Sequence, residues 1–242
     1  MVRRSSVVED STAPSKVGVL PAAATDSRRV KRSQGFVEEV FEIIRADIMS
    51  LAIPPDARIS IDSLARRLDV SQTPIREALS MLEAIGLVTK RHFVGYCSAP
   101  QLNRLQLDQL YEVRLLLEPS AARLAAERMD DATLADIVAL AKSMTPGESR
   151  VSYHNFADQD SEFHDRIAGG SGNPIIRDSL ARLHSHLHIF RLRFHSEVTT
   201  EAVNEHAALI DALILRNPAA AEAAMREHIT RSYARLVPAA RD

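Results

Sequence analysis

Apolar positions along the chain fall into helical stripes almost everywhere, with one short break into strand-like alternation. Ile61, Leu64, Ala65 and Leu68 recur at i, i+3, i+4 and i+7, one face of a short helix. Asp69-Val70-Ser71 interrupts it. Ile75, Ala78, Leu79, Leu82 and Ile85 then form the stripe of a second helix, with Ser71 suited to its N-cap and Pro74 in the first turn, where a missing N–H costs nothing. An earlier stripe, Phe36, Val40, Ile43, Ile44 and Ile48, predicts a helix from Gly35 to Ser50 packed behind this pair. After Gly86 the pattern changes, and residues 87–97 read as a β-hairpin bending at Gly95. Beyond Ala99-Pro100-Gln101 helices are expected over about 107–129, 132–144, 152–168, 174–196, 200–215 and 218–236. Breakers separate several of them at Pro146-Gly147, residues 169–174 and Asn217-Pro218. The expected fold is mainly α: a helix-turn-helix with a small hairpin wing, then an all-α bundle.

The polar side of the second short helix carries the first candidate chemistry. Ser71, Gln72, Thr73, Arg76 and Ser80 point away from its apolar stripe. A helix fits the major groove of DNA, where Gln pairs with an adenine edge, Arg holds guanine or a phosphate, and Thr meets a thymine methyl. Gln72 and Arg76 lie one turn apart, so both reach the same groove. Arg66, Lys90, Arg91 and Gly95 complete the expected DNA-binding set on the first helix and the wing.

Charge refines this picture. The 242 residues carry a formal net charge of −2, and residues 36–100 hold seven basic against nine acidic side chains, so a uniformly basic nucleic-acid binder is excluded. Arg66, Arg67, Arg76, Lys90 and Arg91 nevertheless cluster on one side, opposite Glu38, Glu39 and Glu42. Residues 1–35, with seven basic and three acidic groups and no periodicity, read as a disordered basic tail. Residues 36–100 are read as the DNA-binding domain and residues 101–242 as a second domain. A hydrophobic fraction of 45 % with no long apolar run suits a globular protein without a membrane span or evident leader peptide. A lone cysteine, Cys97, provides no internal disulfide, and a cytoplasmic location is expected.

In the second domain Asp160 and His164 are spaced i, i+4, with His206 and His228 on later helices. Two ligands one turn apart can chelate one ion, and inward-facing ligands from neighbouring helices complete such a site. One carboxylate and three imidazoles suit a divalent zinc, nickel or manganese ion. His184, His186, His188 and His195 offer competing partners.

Leu64-Ala65, the run from Val70 to Leu79 and the run from Leu82 to Val88 resemble the winged helix-turn-helix of the GntR family of bacterial transcription regulators. The pattern departs from that family at Asp56, where a Gly is usual, at Gln72, often Arg, and at Val94, usually basic. Arg114-Leu115-Leu116-Leu117-Glu118, the run Asp160 to His164, Gly172-Asn173-Pro174, Glu205-His206 and His228 resemble the six- or seven-helix FCD effector-binding domain of the FadR-type members. The resemblance implies a metal held by Asp160, His164, His206 and His228, zinc being the leading ion. It further implies a small organic acid as effector, a homodimer and a double-stranded, inverted-repeat operator, with repression the usual outcome. Arg114 is the expected grip for a carboxylate; Tyr111, Arg191, Arg193 and Tyr153 are secondary candidates. Two other classes are weighed against this reading. A metal-dependent enzyme fused to a DNA-binding domain lacks an evident general base, since Glu162 points away from Asp160. An effector-independent DNA-binding protein would ignore small acids altogether.

Overall fold

A computed structural model describes residues 27–147, 149–192 and 196–240. The first helix, α1 (Ser27–Met49), begins eight residues before the expected start. Its early residues are polar apart from Val30 and carry no apolar period, so only the stripe from Phe36 onward is readable. The disordered tail expected over residues 1–35 is overturned for residues 27–35, which are helical in α1, and the rest of it, residues 1–26, lies outside the described residues.

Helix α2 (Ile61–Leu68) starts at Ser60, whose hydroxyl accepts from the Ser63 amide at 3.2 Å, and ends at Asp69 in the left-handed region (φ 52°). Helix α3 (Gln72–Ala84) follows after a tight turn. Ile75, Ala78, Leu79 and Leu82 of α3 are buried against Ile44 and Ile48 of α1, as their spacing requires. Gly86 turns the chain with φ 76° into the antiparallel hairpin β1 (Val88–Arg91) and β2 (Gly95–Ser98), which pair Val88 with Ser98 and Arg91 with Gly95. The bend itself falls on residues 92–94, with Phe93 left-handed and 96 % exposed at the tip.

The bundle contains α4 (Arg104–Arg128), α5 (Asp131–Ser143), α6 (Arg150–Gly170), α7 (Pro174–Leu183), α8 (Ser185–Leu192), α9 (Ser196–Ile214) and α10 (Pro218–Leu236). Asn103 and Gln106 form a reciprocal cap on α4, and Asn173 and Asn217 cap α7 and α10 ahead of a proline. Helix α4 packs on α10 and α6, and α10 also on α9, burying Leu107, Phe163, Leu209, Met225 and Ile229. The single helix expected over 174–196 is instead two, broken where His184 adopts φ 46°. No Gly or Pro marks this break, and a left-handed non-glycine residue is uncommon. It redirects α8, with consequences for the site. Among the described residues no helix is long and apolar enough to cross a membrane.

Candidate functional site

On the DNA-binding side, Arg66, Ser71, Gln72, Thr73, Arg76, Lys90, Arg91 and Gly95 are all exposed. Ser71 occupies the N-cap of α3 in extended conformation, but its hydroxyl makes no capping bond. Several neighbours pair with one another. Gln72 Nε2 donates to Asp62 at 2.6 Å, Arg76 approaches Gln72 Oε1 at 3.4 Å, and Lys90 sits 5.7 Å from the centre of the Tyr96 ring. Arg91 binds Asp56, the residue standing where glycine is usual. Asp56 keeps the left-handed backbone (φ 63°) that glycine would supply, and its carboxylate takes part of the wing's positive charge.

Inside the bundle the polar groups are buried. Asp160 and His164 project inward from α6, His206 from α9, His228 from α10, and His186 from the redirected α8. Two triads share His164: His164, His206 and His228, and Asp160, His164 and His186. Within each triad the donor atoms lie within 4.8 Å of one another. Asp160 bridges the two, its Oδ1 at 3.2 Å from His206 Nε2 and its Oδ2 at 3.3 Å from His186 Nε2. Asp160 Oδ1 and the Nε2 atoms of His164, His186 and His206 are buried and make no hydrogen bond. Buried polar atoms without partners are rare in native folds, so four such atoms in two adjoining triads form a donor set whose chemistry fits a cation.

Carboxylates outside the cluster set the rings. His164 Nδ1 is 2.6 Å from Glu118 Oε2, and His228 Nδ1 is 2.8 Å from Glu205 Oε2. An imidazole that donates Nδ1–H to a carboxylate presents Nε2 as a bare lone pair, the usual arrangement behind a metal ligand. Glu118 in turn accepts from Arg114 Nε at 2.5 Å. Burial opposes the Glu118 charge, but Arg114 and His164 outweigh it and hold the carboxyl well below its usual range. Burial and neighbouring positive charge push His186 and His206 well below the ordinary imidazole value, and burial lowers His228 despite its bond to Glu205. Burial raises Asp160 against the pull of His164, His228 and Arg114. Neutral imidazoles are the form that binds a cation, and a divalent ion would favour the ionised carboxylate.

Of the expected effector residues, Arg114 lies beside the cluster, sharing a cavity of about 20 Å³ with Asp160, His186 and His228, although Glu118 engages its guanidinium. Tyr111 sits beneath it, the Arg114 guanidinium 5.1 Å from the ring centre, and its hydroxyl meets Ser232 at 2.7 Å rather than facing that cavity. Tyr153 does line it. Arg191 is elsewhere. Five positions on from His186, it projects about 140° around α8, and its Nη2 donates to the Ala99 carbonyl at 2.7 Å at the junction with the DNA-binding side. Burial pushes its guanidinium down to about 10. Arg193 lies outside the described residues. The sequence alone assigns no role to His186, Glu118 or Glu205: His186 is one of several competing histidines, and the two glutamates stand only within the family-like runs around Arg114 and His206.

Residues 36–96 match the bacterial regulatory proteins of the gntR family, and residues 109–231 match the FCD domain. The chain belongs to the GntR family of bacterial transcription regulators, with the FadR-type architecture. It is 32 % identical to the HTH-type transcriptional regulator LutR of Bacillus subtilis, covering 73 % of this chain and 90 % of LutR. Identity to the HTH-type transcriptional repressor GlaR of Escherichia coli is 28 %, over 77 % of this chain and 89 % of that one. A solved structure, a putative transcriptional regulator GntR from Rhodococcus sp. RHA1, superposes with a TM-score of 0.68 at 20 % identity, covering 86 % of this chain and all of the other. This GntR-family chain is therefore a DNA-binding regulator with a small-molecule-binding FCD domain, and the enzyme reading is set aside.

Proposed function

We propose that this regulator works in the cytoplasm as a homodimer on an inverted-repeat operator, and that it represses until a small carboxylic acid enters a metal-containing pocket. The observation that carries this reading is the proximity of the buried Asp160 Oδ1 to buried imidazole Nε2 atoms that make no hydrogen bond. Asp160, His164, His206 and His228 would hold the ion, with Glu118 and Glu205 fixing two of the rings. When bound, a divalent ion such as zinc, nickel or manganese would supply positive charge and free coordination positions for a carboxylate. A cavity of about 180 Å³ walled by Glu118, Ser161, His164, Asp165, Leu180 and His186 gives room for a small acid; Arg114, off this wall, pairs with Glu118, so the bound ion would supply the positive charge there. Ser71, Gln72, Thr73 and Arg76 face the major groove, while Lys90 and the wing hold the backbone. Repression follows the name of the relative GlaR. Two helix-turn-helix units one DNA turn apart require a palindromic site.

Fluorescence anisotropy on the chain's own upstream DNA, with metal-loaded and chelated protein and a panel of small carboxylic acids, tests the reading. An acid that releases DNA only from loaded protein is the expected result. Tight binding indifferent to every acid and to chelation would contradict it.

A further inference from the structure

We propose that His186 is a fifth protein donor to the ion held by Asp160, His164, His206 and His228, an inference that rests on the metal reading above. Its ring is buried, and its Nε2 makes no hydrogen bond. That atom lies 3.3 Å from Asp160 Oδ2 without the alignment of a donor, and the ring centroid is 4.9 Å from that of His164. His186 groups within 4.8 Å with Asp160 and His164, the triad that holds the carboxylate, but not with His206 and His228, so five-fold ligation requires the two triads to close on one ion. A histidine buried only for packing normally spends one ring nitrogen on a close partner. Here the other nitrogen, Nδ1, has just a long 3.5 Å approach to the Ser185 hydroxyl.

The backbone is shaped to bring this ring in. The left-handed His184 ends α7, and α8 restarts at once with His186 turned toward α6. Without that break residue 186 would continue along α7, a helix with no fully buried side chain. Four imidazoles and one carboxylate exceed the four donors of a closed tetrahedral site. The set suits an ion that accepts five or six ligands, such as nickel or cobalt, better than zinc held tetrahedrally.

Cobalt(II) is the probe. Chelator-stripped full-length protein is loaded with one equivalent, and the paramagnetically shifted, exchangeable imidazole N–H protons are counted by NMR in the unmutated chain. The same count and the cobalt affinity are then taken in His186→Gln, which keeps the side chain's bulk and polarity. Four shifted N–H signals falling to three in the variant, with affinity weakened at least about tenfold, are expected. Three signals in the unmutated chain, unchanged in number and affinity by the substitution, would overturn the role of His186 while leaving a four-ligand site intact. Failure of the unmutated chain to take up cobalt would remove the metal reading itself, and this inference with it.

Discussion

The polar residues of α3 and those of α6 obey opposite rules. On α3 and the wing they are solvated, loosely paired with one another, and free to exchange those partners for DNA. In the bundle they are buried, and several of their polar atoms make no hydrogen bond to the protein. An exposed polar face costs the fold little, so its substitution should be felt in binding alone. A buried one is held in place by the fold, so substitution should be felt in stability as well.

Arg114 should show the sharpest break between the two regions. Arg114→Ala leaves Glu118 buried beside His164 without its cation, and a loss of about 3–5 kcal/mol is expected for breaking such a pair. Urea denaturation of the metal-free protein reads it; a loss under about 1 kcal/mol would place the bundle's charges in the surface class.

Acid should separate the two regions further. His186, His206 and His228 are depressed by burial, and burial with the Arg191 charge brings His188 to about 4. The unfolded chain takes up protons near the ordinary histidine pKa of about 6.5, whereas the folded chain resists. Stability of the metal-free protein should therefore be full above that value and fall as pH drops from about 6.5 to 4. Thermal melts across that range report it, and a flat profile would mean that these rings charge without unfolding.

Arg76→Ala belongs to the other class. It should weaken operator binding by about 1–3 kcal/mol, with stability changed by less than about 0.5 kcal/mol. Anisotropy and a melt on the same preparation separate the two effects. The smallest effect should be Arg45→Ala. Arg45 joins the regions through two 2.8 Å bonds to Asp158, but the carboxylate is half exposed, and such pairs contribute about 1 kcal/mol or less.

The same contrast explains what could be read from the chain. The helix-turn-helix was legible because its apolar stripes, Pro74 and the turn at Asp69 are local signals that agree with one another. Helix α1 was readable only from Phe36, since Ser27 to Gln34 carries no apolar stripe. In the bundle the i, i+4 pair Asp160 and His164 was local and visible, while His206 and His228 needed the family resemblance to be chosen among nine histidines. His186 was hidden because the break at His184 uses neither Gly nor Pro. Arg191 is of a type that suits a carboxylate, yet its place on α8 turns it toward Ala99. Long-range geometry decided both.

The buried cluster of Asp160 and its histidines has the donor chemistry of a cation site. Isothermal titration of zinc or nickel into chelator-stripped protein, with His164→Ala alongside, tests it most directly because His164 belongs to both triads. One ion per chain in the unmutated protein, with affinity lost by at least about a hundredfold in the variant, is the predicted result. No uptake by the unmutated chain, or uptake that His164→Ala leaves unchanged, would contradict it.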